Sequence, residues 1–222
     1  MSNQLHNEIK KEFQLERLIF FSDAVFAIAI TLLILEIKVP DKEFLREHGG
    51  ISDKAILNSL RLLIPKFLGF LLSFALIGLQ WSIHHRMFGF VTAYDRKLIL
   101  LNLVFLLFIV IMPFSSGFYS EFLGSELFEK QLKVPMTFYV LNFFGAGFTN
   151  FLMWGRIGKT KNKLAEPPIP AVIFKLAYIR AITVPLIFLS MLPVAYFINV
   201  SYAVYIPVLI PVVMRIIKKI ID

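Results

Sequence analysis

The chain has 222 residues, of which 58% are hydrophobic and 17% are charged, and its mean hydropathy is +0.74. Soluble domains carry about 45–50% apolar and about 25% charged residues, so this composition indicates an integral membrane protein. The formal charge of +8 would suggest nucleic acid for a soluble chain, but in a membrane protein the Lys and Arg distribution first sets topology. No nucleic-acid partner is expected. Because cysteine is absent, disulfides, thiolate nucleophiles and cysteine metal sites are excluded.

The first apolar run, 18–35, contains only three polar residues: Ser22, Asp23 and Thr31. Its length approaches the roughly 20 residues that a helix needs to cross a bilayer. A carboxylate in hydrocarbon costs at least about 2.5 kcal/mol, so Asp23 requires a partner. Arg17 lies six residues earlier and is one candidate, and a polar group on another helix is the other.

Five further apolar runs follow, and together they predict an all-helical membrane protein with six spans at about 18–38, 62–88, 98–114, 134–154, 176–197 and 202–217. Before the second run, Ser52 is suited to cap a helix. The fourth run is unusually polar because it contains Asn142, Thr149 and Asn150. No polar stretch is long enough to form a soluble domain of its own.

Most of the Lys and Arg residues fall on one side of the membrane if the N-terminus is cytoplasmic. That side then holds the basic clusters within 10–17, 86–97, 156–163 and 215–219. Because cytoplasmic loops are enriched in Lys and Arg, the sequence predicts that both termini are cytoplasmic. Residues 1–17 and 218–222 are then short cytoplasmic ends of one membrane domain, 18–217.

An aliphatic stripe marks one face of the first helix. On a wheel of 100° per residue, Ile28, Leu32 and Leu35 lie together with Thr31 beside them, whereas Asp23 points about 140° away. Such a stripe packs against lipid or neighbouring helices in most membrane proteins. The same kind of surface also forms hydrophobic constrictions that gate pores by dewetting. The spacing alone leaves both interpretations open.

Polar and aromatic groups gather near the inner end of the second run, at Trp81, His84 and His85. Adjacent histidines on a helix point about 100° apart and are poorly placed to hold one metal ion, so no fixed metal site is predicted. We expect Trp81 and one histidine to donate hydrogen bonds to Asp23 or to nearby backbone carbonyls, with Asn102 as a further candidate member. A proton relay through Asp23 and a histidine is the competing interpretation.

Several catalytic and binding motifs are absent from the sequence. It contains no Ser/His/Asp arrangement, no phosphate-binding glycine loop and no HExxH helix, so neither an enzymatic activity nor a cofactor is predicted. The TVGYG pattern of potassium-channel carbonyl filters is missing as well, which excludes an ordinary potassium channel.

The pattern Arg17-x-x-x-Phe21-Ser22-Asp23, which opens a first helix continuing AVFAIAITLLILEI, resembles the signature of the transmembrane protein 175 family. That family comprises bacterial, archaeal and lysosomal potassium-selective channels. The six-span layout and the Trp81 and His84/His85 region extend the resemblance over essentially the whole chain.

The resemblance implies a homotetramer whose first helices line a central pore. It makes Ile28 the narrowest hydrophobic ring and Thr31, Leu32 and Leu35 the next layers. The motif residues become a structural latch that holds the first helix against its neighbours. This latch consists of Arg17, Phe21, Ser22 and Asp23. Potassium is then the transient occupant of the pore.

The sequence therefore predicts passive potassium conduction in the plasma membrane of a prokaryote. Contact with anionic lipid is plausible at the basic connector residues Arg156, Lys159, Lys161 and Lys163. The main alternative is a proton-coupled transporter that uses Asp23 with His84 or His85. An intramembrane enzyme or assembly factor has little support, because no pair of nucleophile and base is apparent.

Overall fold

The structure is a computed structural model and describes residues 2–39, 42–47, 50–122 and 130–221. Within these ranges the secondary structure is helical, without strands. The helices are α1 (Ser2–Leu32), α2 (Lys42–Glu47), α3 (Asp53–Leu62), α4 (Ile64–Phe88), α5 (Arg96–Glu121), α6 (Val134–Ile157), α7 (Ala171–Leu189), α8 (Met191–Phe197), α9 (Val200–Ala203) and α10 (Ile210–Ile221). Short 3-10 segments follow at Leu33–Glu36, Thr160–Asn162 and Ile206–Leu209.

Among the described residues, 5 helical segments are long and apolar enough to cross a membrane. They are Phe13–Glu36, Ile64–Phe88, Arg96–Glu121, Ala171–Phe197 and Val200–Ile221. The predicted fourth span corresponds to α6, which has 24 residues but is less apolar because of its Asn, Thr and Gly content. The count of six spans therefore stays a prediction.

The third span is longer than the sequence suggested. Its predicted end lies just after Pro113, whereas α5 continues to Glu121. Ser115 and Ser116 both return their hydroxyl groups to the carbonyl of Met112, at 3.0 and 2.9 Å, and so remain part of the helix. Proline is tolerated in membrane helices where nearby polar groups compensate for the disturbed backbone.

Side-chain caps define the beginnings of two helices. Ser52 accepts the backbone N–H of Ala55 at 3.2 Å and caps α3, as its position predicted. Asp95 caps α5 by accepting the N–H of Leu98 at 2.7 Å. Each cap satisfies one of the backbone donors that the first turn of a helix leaves free.

The helices pack as a bundle in which α6 lies between α5 and α7, while α1 packs against α4 and α5. The α6–α7 contact is close because Gly147 has no side chain: a Cβ there would lie 2.8 Å from a carbon of Pro185. Phe143 of α6 stacks on Phe188 of α7 with 3.8 Å between ring centroids. The last helix, α10, packs on α7 at the edge of the bundle.

The two connectors at one end of the bundle are joined to each other. The N–H of Thr92 donates to the carbonyl of Leu164 at 2.9 Å, and the N–H of Glu166 donates to the Thr92 hydroxyl at 3.1 Å. Arg156 at the end of α6 donates to Asp95 through Nε at 3.1 Å and through Nη2. Hydrogen bonds between residues that are distant in sequence therefore connect the two connectors at this end of the bundle.

The ion pair with Arg156 determines the titration of Asp95. Partial burial raises the pKa of this carboxyl group, but the hydrogen bonds from Arg156 and from the Leu98 N–H lower it by more. The net result is a pKa below the usual value of 3.8.

Candidate functional site

One face of α1 is buried against α4 and α5. Ser22, Phe26, Ala29 and Leu33 recur at intervals of three or four residues, and each is at most 2% exposed. This spacing places them on a single stripe of the helix. Phe26 packs against Phe105 of α5 at 5.9 Å between ring centroids. The opposite side of α1 remains uncovered by the chain.

The first polar contact of the site joins α1 to α4 through Asp23. The indole Nε1–H of Trp81 donates to Asp23 Oδ1 at 2.9 Å. His85 stacks on the Trp81 ring, with centroids 5.4 Å apart and planes 28° from parallel. The half-buried carboxylate thus accepts a hydrogen bond from a ring that is itself held by a stacked neighbour.

A second polar chain joins three helices at their buried centre. Asn102 of α5 donates through Nδ2 to Ser22 Oγ at 2.9 Å, and Ser22 donates to the carbonyl of Leu18 at 2.9 Å. His84 Nε2 lies 2.8 Å from Asn102 Oδ1. Because an amide oxygen only accepts, His84 carries its proton on Nε2. Each of the three side chains donates a hydrogen bond to an acceptor, which lowers the cost of burying these polar groups.

His84 and His85 lie in different surroundings. His84 is 1% exposed and stacks between Phe105 and Phe88, with ring centroids at 5.4 and 4.3 Å. His85 is exposed. Their divergence follows from the 100° between adjacent helical positions. In the described ranges, no group of three His, Cys, Asp or Glu residues is arranged to hold a metal ion.

Two residues of the signature lie outside the hydrogen-bonded network. Arg17 is exposed, and its guanidinium lies 5.9 Å from the ring centroid of Phe13. No ion pair between Arg17 and Asp23 is present among the described residues, so the expectation that Arg17 reaches this carboxylate is wrong for the single chain. Six helical positions separate the two side chains by about 120°, which directs them to different faces. Phe21 is 50% exposed.

The aliphatic stripe lies on the uncovered side of α1 and of the 3-10 segment that follows. Ile28 is 59% exposed, Leu32 40% and Leu35 70%, and Thr31 is exposed beside them. Thr31 Oγ1 donates to the carbonyl of Ile28 at 2.9 Å. Its proton is thereby used within the helix, while the oxygen keeps acceptor capacity. This face requires another occupant: lipid, a second copy or the contents of a pore.

The basic connector divides into one paired residue and three exposed ones. Arg156 is engaged by Asp95, and its carbonyl accepts a hydrogen bond from Asn162 Nδ2 at 2.6 Å. Lys159, Lys161 and Lys163 are exposed. No local sequence pattern indicates the Asp95–Arg156 pair, because its members are 61 positions apart.

A buried link between α5 and α6 was also missed. Asn142 Nδ2 donates to Ser115 Oγ at 3.1 Å, and both residues are buried. The polar character of the fourth run was a signal for such a contact, since Asn in a membrane helix requires a partner. It did not identify that partner.

The fold and this network define an all-helical, multi-pass integral membrane protein whose first helix is fastened to two neighbours by buried polar groups. The sequence profile of the family described as endosomal/lysosomal potassium channel TMEM175 matches residues 17–113, the segment that contains the network. A potassium channel of Chamaesiphon minutus is 33% identical over 72% of this chain and 73% of its own length. The chain belongs to the TMEM175 family of ion channels.

Two further comparisons extend this result. The crystal structure of a lysosomal potassium-selective channel TMEM175 homolog from Chamaesiphon minutus matches with a TM-score of 0.72 and 26% identity, covering 92% of this chain and 98% of the other. The endosomal/lysosomal proton channel TMEM175 of Gallus gallus is 37% identical over 63% of this chain but only 27% of its own length. Membership of an ion-channel family confirms the prediction that the chain is not an enzyme.

Proposed function

We propose that this chain conducts potassium passively as a homotetramer, with α1 of each copy lining a central pore. The observation that carries the proposal is the uncovered stripe of α1, because an aliphatic face with a threonine beside it occurs where the chain's own helices leave α1 free. A potassium channel among the relatives supports the choice of ion. No cofactor is needed, and potassium is only a transient occupant.

In this arrangement Ile28 forms the narrowest ring, and Thr31, Leu32 and Leu35 form the adjoining layers. Ser22 and Asp23 bind the other helices from different faces, so they position α1 without entering the pore. A ring of aliphatic side chains supplies no ligands that replace an ion's hydration shell. Potassium loses water more readily than the smaller sodium, so the expected selectivity is modest, with Thr31 oxygens as candidate acceptors.

The placement of the chain in the membrane is inferred from the distribution of its Lys and Arg residues. We propose a six-span chain in the plasma membrane of a prokaryote, with both termini in the cytoplasm, because the basic connectors then lie on the cytoplasmic side. Lys159, Lys161 and Lys163 are available for anionic headgroups. Arg156 is less suited to this role than the sequence implied, because Asp95 already binds it.

The alternative of a proton-coupled carrier has weaker support. It requires Asp23 and a histidine to exchange protons. However, Asp23 accepts a hydrogen bond from Trp81, and His84 donates its hydrogen bond to Asn102. An indole N–H only donates a hydrogen bond and does not pass protons on. The two polar contacts are therefore better suited to holding helices than to relaying protons.

The experiment is conductance of Ile28→Asn in a planar bilayer, compared with Ile34→Asn as a matched control. Both isoleucines are exposed on the same segment, at 59% and 47%, but they lie about 120° apart on a helical wheel. A hydrated constriction in Ile28→Asn should raise current and reduce preference for potassium over sodium, while Ile34→Asn leaves both unchanged. Equal behaviour of the two variants would refute the assignment of Ile28 as the constriction.

A further inference from the structure

The last two spans carry positive charge without any compensating acid. From 167 to 221 the sequence contains no Asp or Glu, so that Asp222 is the one acid after Glu166, and the cations in this range are Lys175, Arg180, Arg215, Lys218 and Lys219. Elsewhere in the bundle, basic groups such as Arg156 and Lys66 bind carboxylates. The hairpin formed by α7 to α10 therefore lacks internal acidic partners for its charges.

Arg180 lies within the apolar part of this hairpin. It is nine residues after the start of α7, about 14 Å along the helix axis. Its Nε is buried and makes no hydrogen bond in the part of the chain that the structure describes. A guanidinium at such a depth faces the interior of the bundle or reaches toward the interface, and it requires a counter-charge.

Three further cations, Arg215, Lys218 and Lys219, lie on the neighbouring helix, toward the same end of the hairpin as Arg180. The chain turns around Asn199 and returns through α10, which packs on α7. Arg180 and 217 are about equally far from that turn in sequence, so Arg180 and the basic segment of α10 belong to the same end of the hairpin. Arg215, Lys218 and Lys219 are exposed, and their spacing of three and four residues places them on one helical face.

The position of α10 limits what these charges can contact. None of its residues is buried, and it packs on α7 at the edge of the bundle. Its basic end lies on the same side as the connectors joined by Thr92 and Leu164, which is the cytoplasmic side in the proposed topology. In a membrane, this surface meets the headgroup region of one leaflet.

We infer that the basic end of the α7–α10 hairpin binds the phosphate headgroup of an anionic phospholipid, with Arg180 as the recessed anchor and the α10 cations around it. The planar fork of arginine suits phosphate oxygens, and basic pockets between spans are typical of cytoplasmic-side lipid sites. The site is separate from the connector lysines and goes beyond the proposed conduction. Its occupant provides the negative charge that the hairpin lacks.

The test measures lipid binding to the purified full chain by native mass spectrometry, with phosphatidylglycerol and phosphatidylcholine titrated in parallel. The variant is R215Q/K218Q/K219Q, which changes exposed positions only. The matched control is K38Q/K42Q/K54Q, which removes the same charge from exposed positions between the first and second spans. Each basic residue near an anionic surface changes affinity about fivefold. We expect the α10 variant to bind phosphatidylglycerol roughly a hundredfold more weakly and the control to bind as the unmodified chain.

Arg180→Gln should weaken phosphatidylglycerol binding as well, and the α10 variant keeps the test valid if this substitution prevents folding. Retained phosphatidylglycerol affinity in the α10 variant would overturn the inference. An equal loss in the control variant would do the same, because it would indicate general surface charge. Displacement of the lipid by inorganic phosphate would assign the site to a soluble anion instead. None of these outcomes depends on whether the chain conducts potassium.

Discussion

The hydrogen bond between Trp81 and Asp23 gives the sharpest test of how α1 is held. In Trp81→Phe an aromatic ring remains beside His85, while the N–H that donates to the carboxylate is removed together with part of the ring volume. Asp23 then keeps its charge in a half-buried position without that partner. The expected result is a less stable attachment of α1 to α4.

The magnitude follows from the exposure of the two groups. Hydrogen bonds to charged groups contribute about 1.5–3 kcal/mol in soluble proteins, whereas uncharged interhelical bonds in membranes average about 0.6 kcal/mol. Trp81 is 40% exposed, which favours the lower end of the charged range. We therefore expect a coupling energy of about 1.5 kcal/mol between the two residues.

The assay is a double-mutant cycle of Trp81→Phe and Asp23→Ala, with the free energy of unfolding measured in detergent micelles. The exposed pair of Lys66 and Glu121, with 2.6 Å between Nζ and Oε2, provides the comparison cycle. Exposed ion pairs contribute about 0.2–1 kcal/mol. A Trp81–Asp23 coupling no larger than that of the Lys66–Glu121 pair would refute the reasoning.

Three further substitutions test the rest of the bundle. Asn102→Leu removes the centre of the buried chain and should lower the free energy of unfolding by about 1–3 kcal/mol, measured by thermal or detergent denaturation. Gly147→Ala forces a carbon against Pro185 and should cost about 1–3 kcal/mol by the same measurement. Asp95 has a lowered pKa, so its contribution is present above pH 3.8 and is lost as pH falls below that value. The difference in melting temperature between Asp95→Asn and the unmodified chain should accordingly shrink on acidification.

Each of these predictions has a clear contrary result. An unchanged free energy of unfolding in Asn102→Leu would indicate that the buried polar chain does not stabilise the bundle. A neutral Gly147→Ala would indicate that α6 and α7 separate without cost. If the difference in melting temperature between Asp95→Asn and the unmodified chain persists unchanged below pH 3.8, the stabilising effect of Asp95 does not come from its carboxylate charge.

The sequence predicted the members of the polar network better than their pairing. Its residue types identified Trp81, His84 and Asn102 as groups that require partners in a membrane. The pairing of Asn102 with Ser22 spans 80 positions, and no local pattern encodes a contact of that range. Arg17 was one candidate partner of Asp23 because it is near in sequence, but helical geometry turns it to another face.

Helix ends and connectors were the least predictable parts. The apolar run stops near Pro113, yet α5 continues through Ser115 and Ser116, whose hydroxyls donate to the carbonyl of Met112 in the preceding turn. The Asp95–Arg156 pair depends on two loops meeting at one end of the bundle, and this tertiary contact has no sequence signature. By contrast, the face of α1 that the wheel separated from Asp23 is the face that the chain leaves uncovered.

The most direct test of the central claim is the reversal potential of the purified chain in a planar bilayer, with potassium on one side, sodium on the other and equal pH on both. Passive potassium conduction predicts unitary currents whose reversal potential is displaced in the direction that opposes potassium flow. A reversal potential that follows an imposed pH difference, or flux that occurs only with such a difference, would contradict potassium conduction.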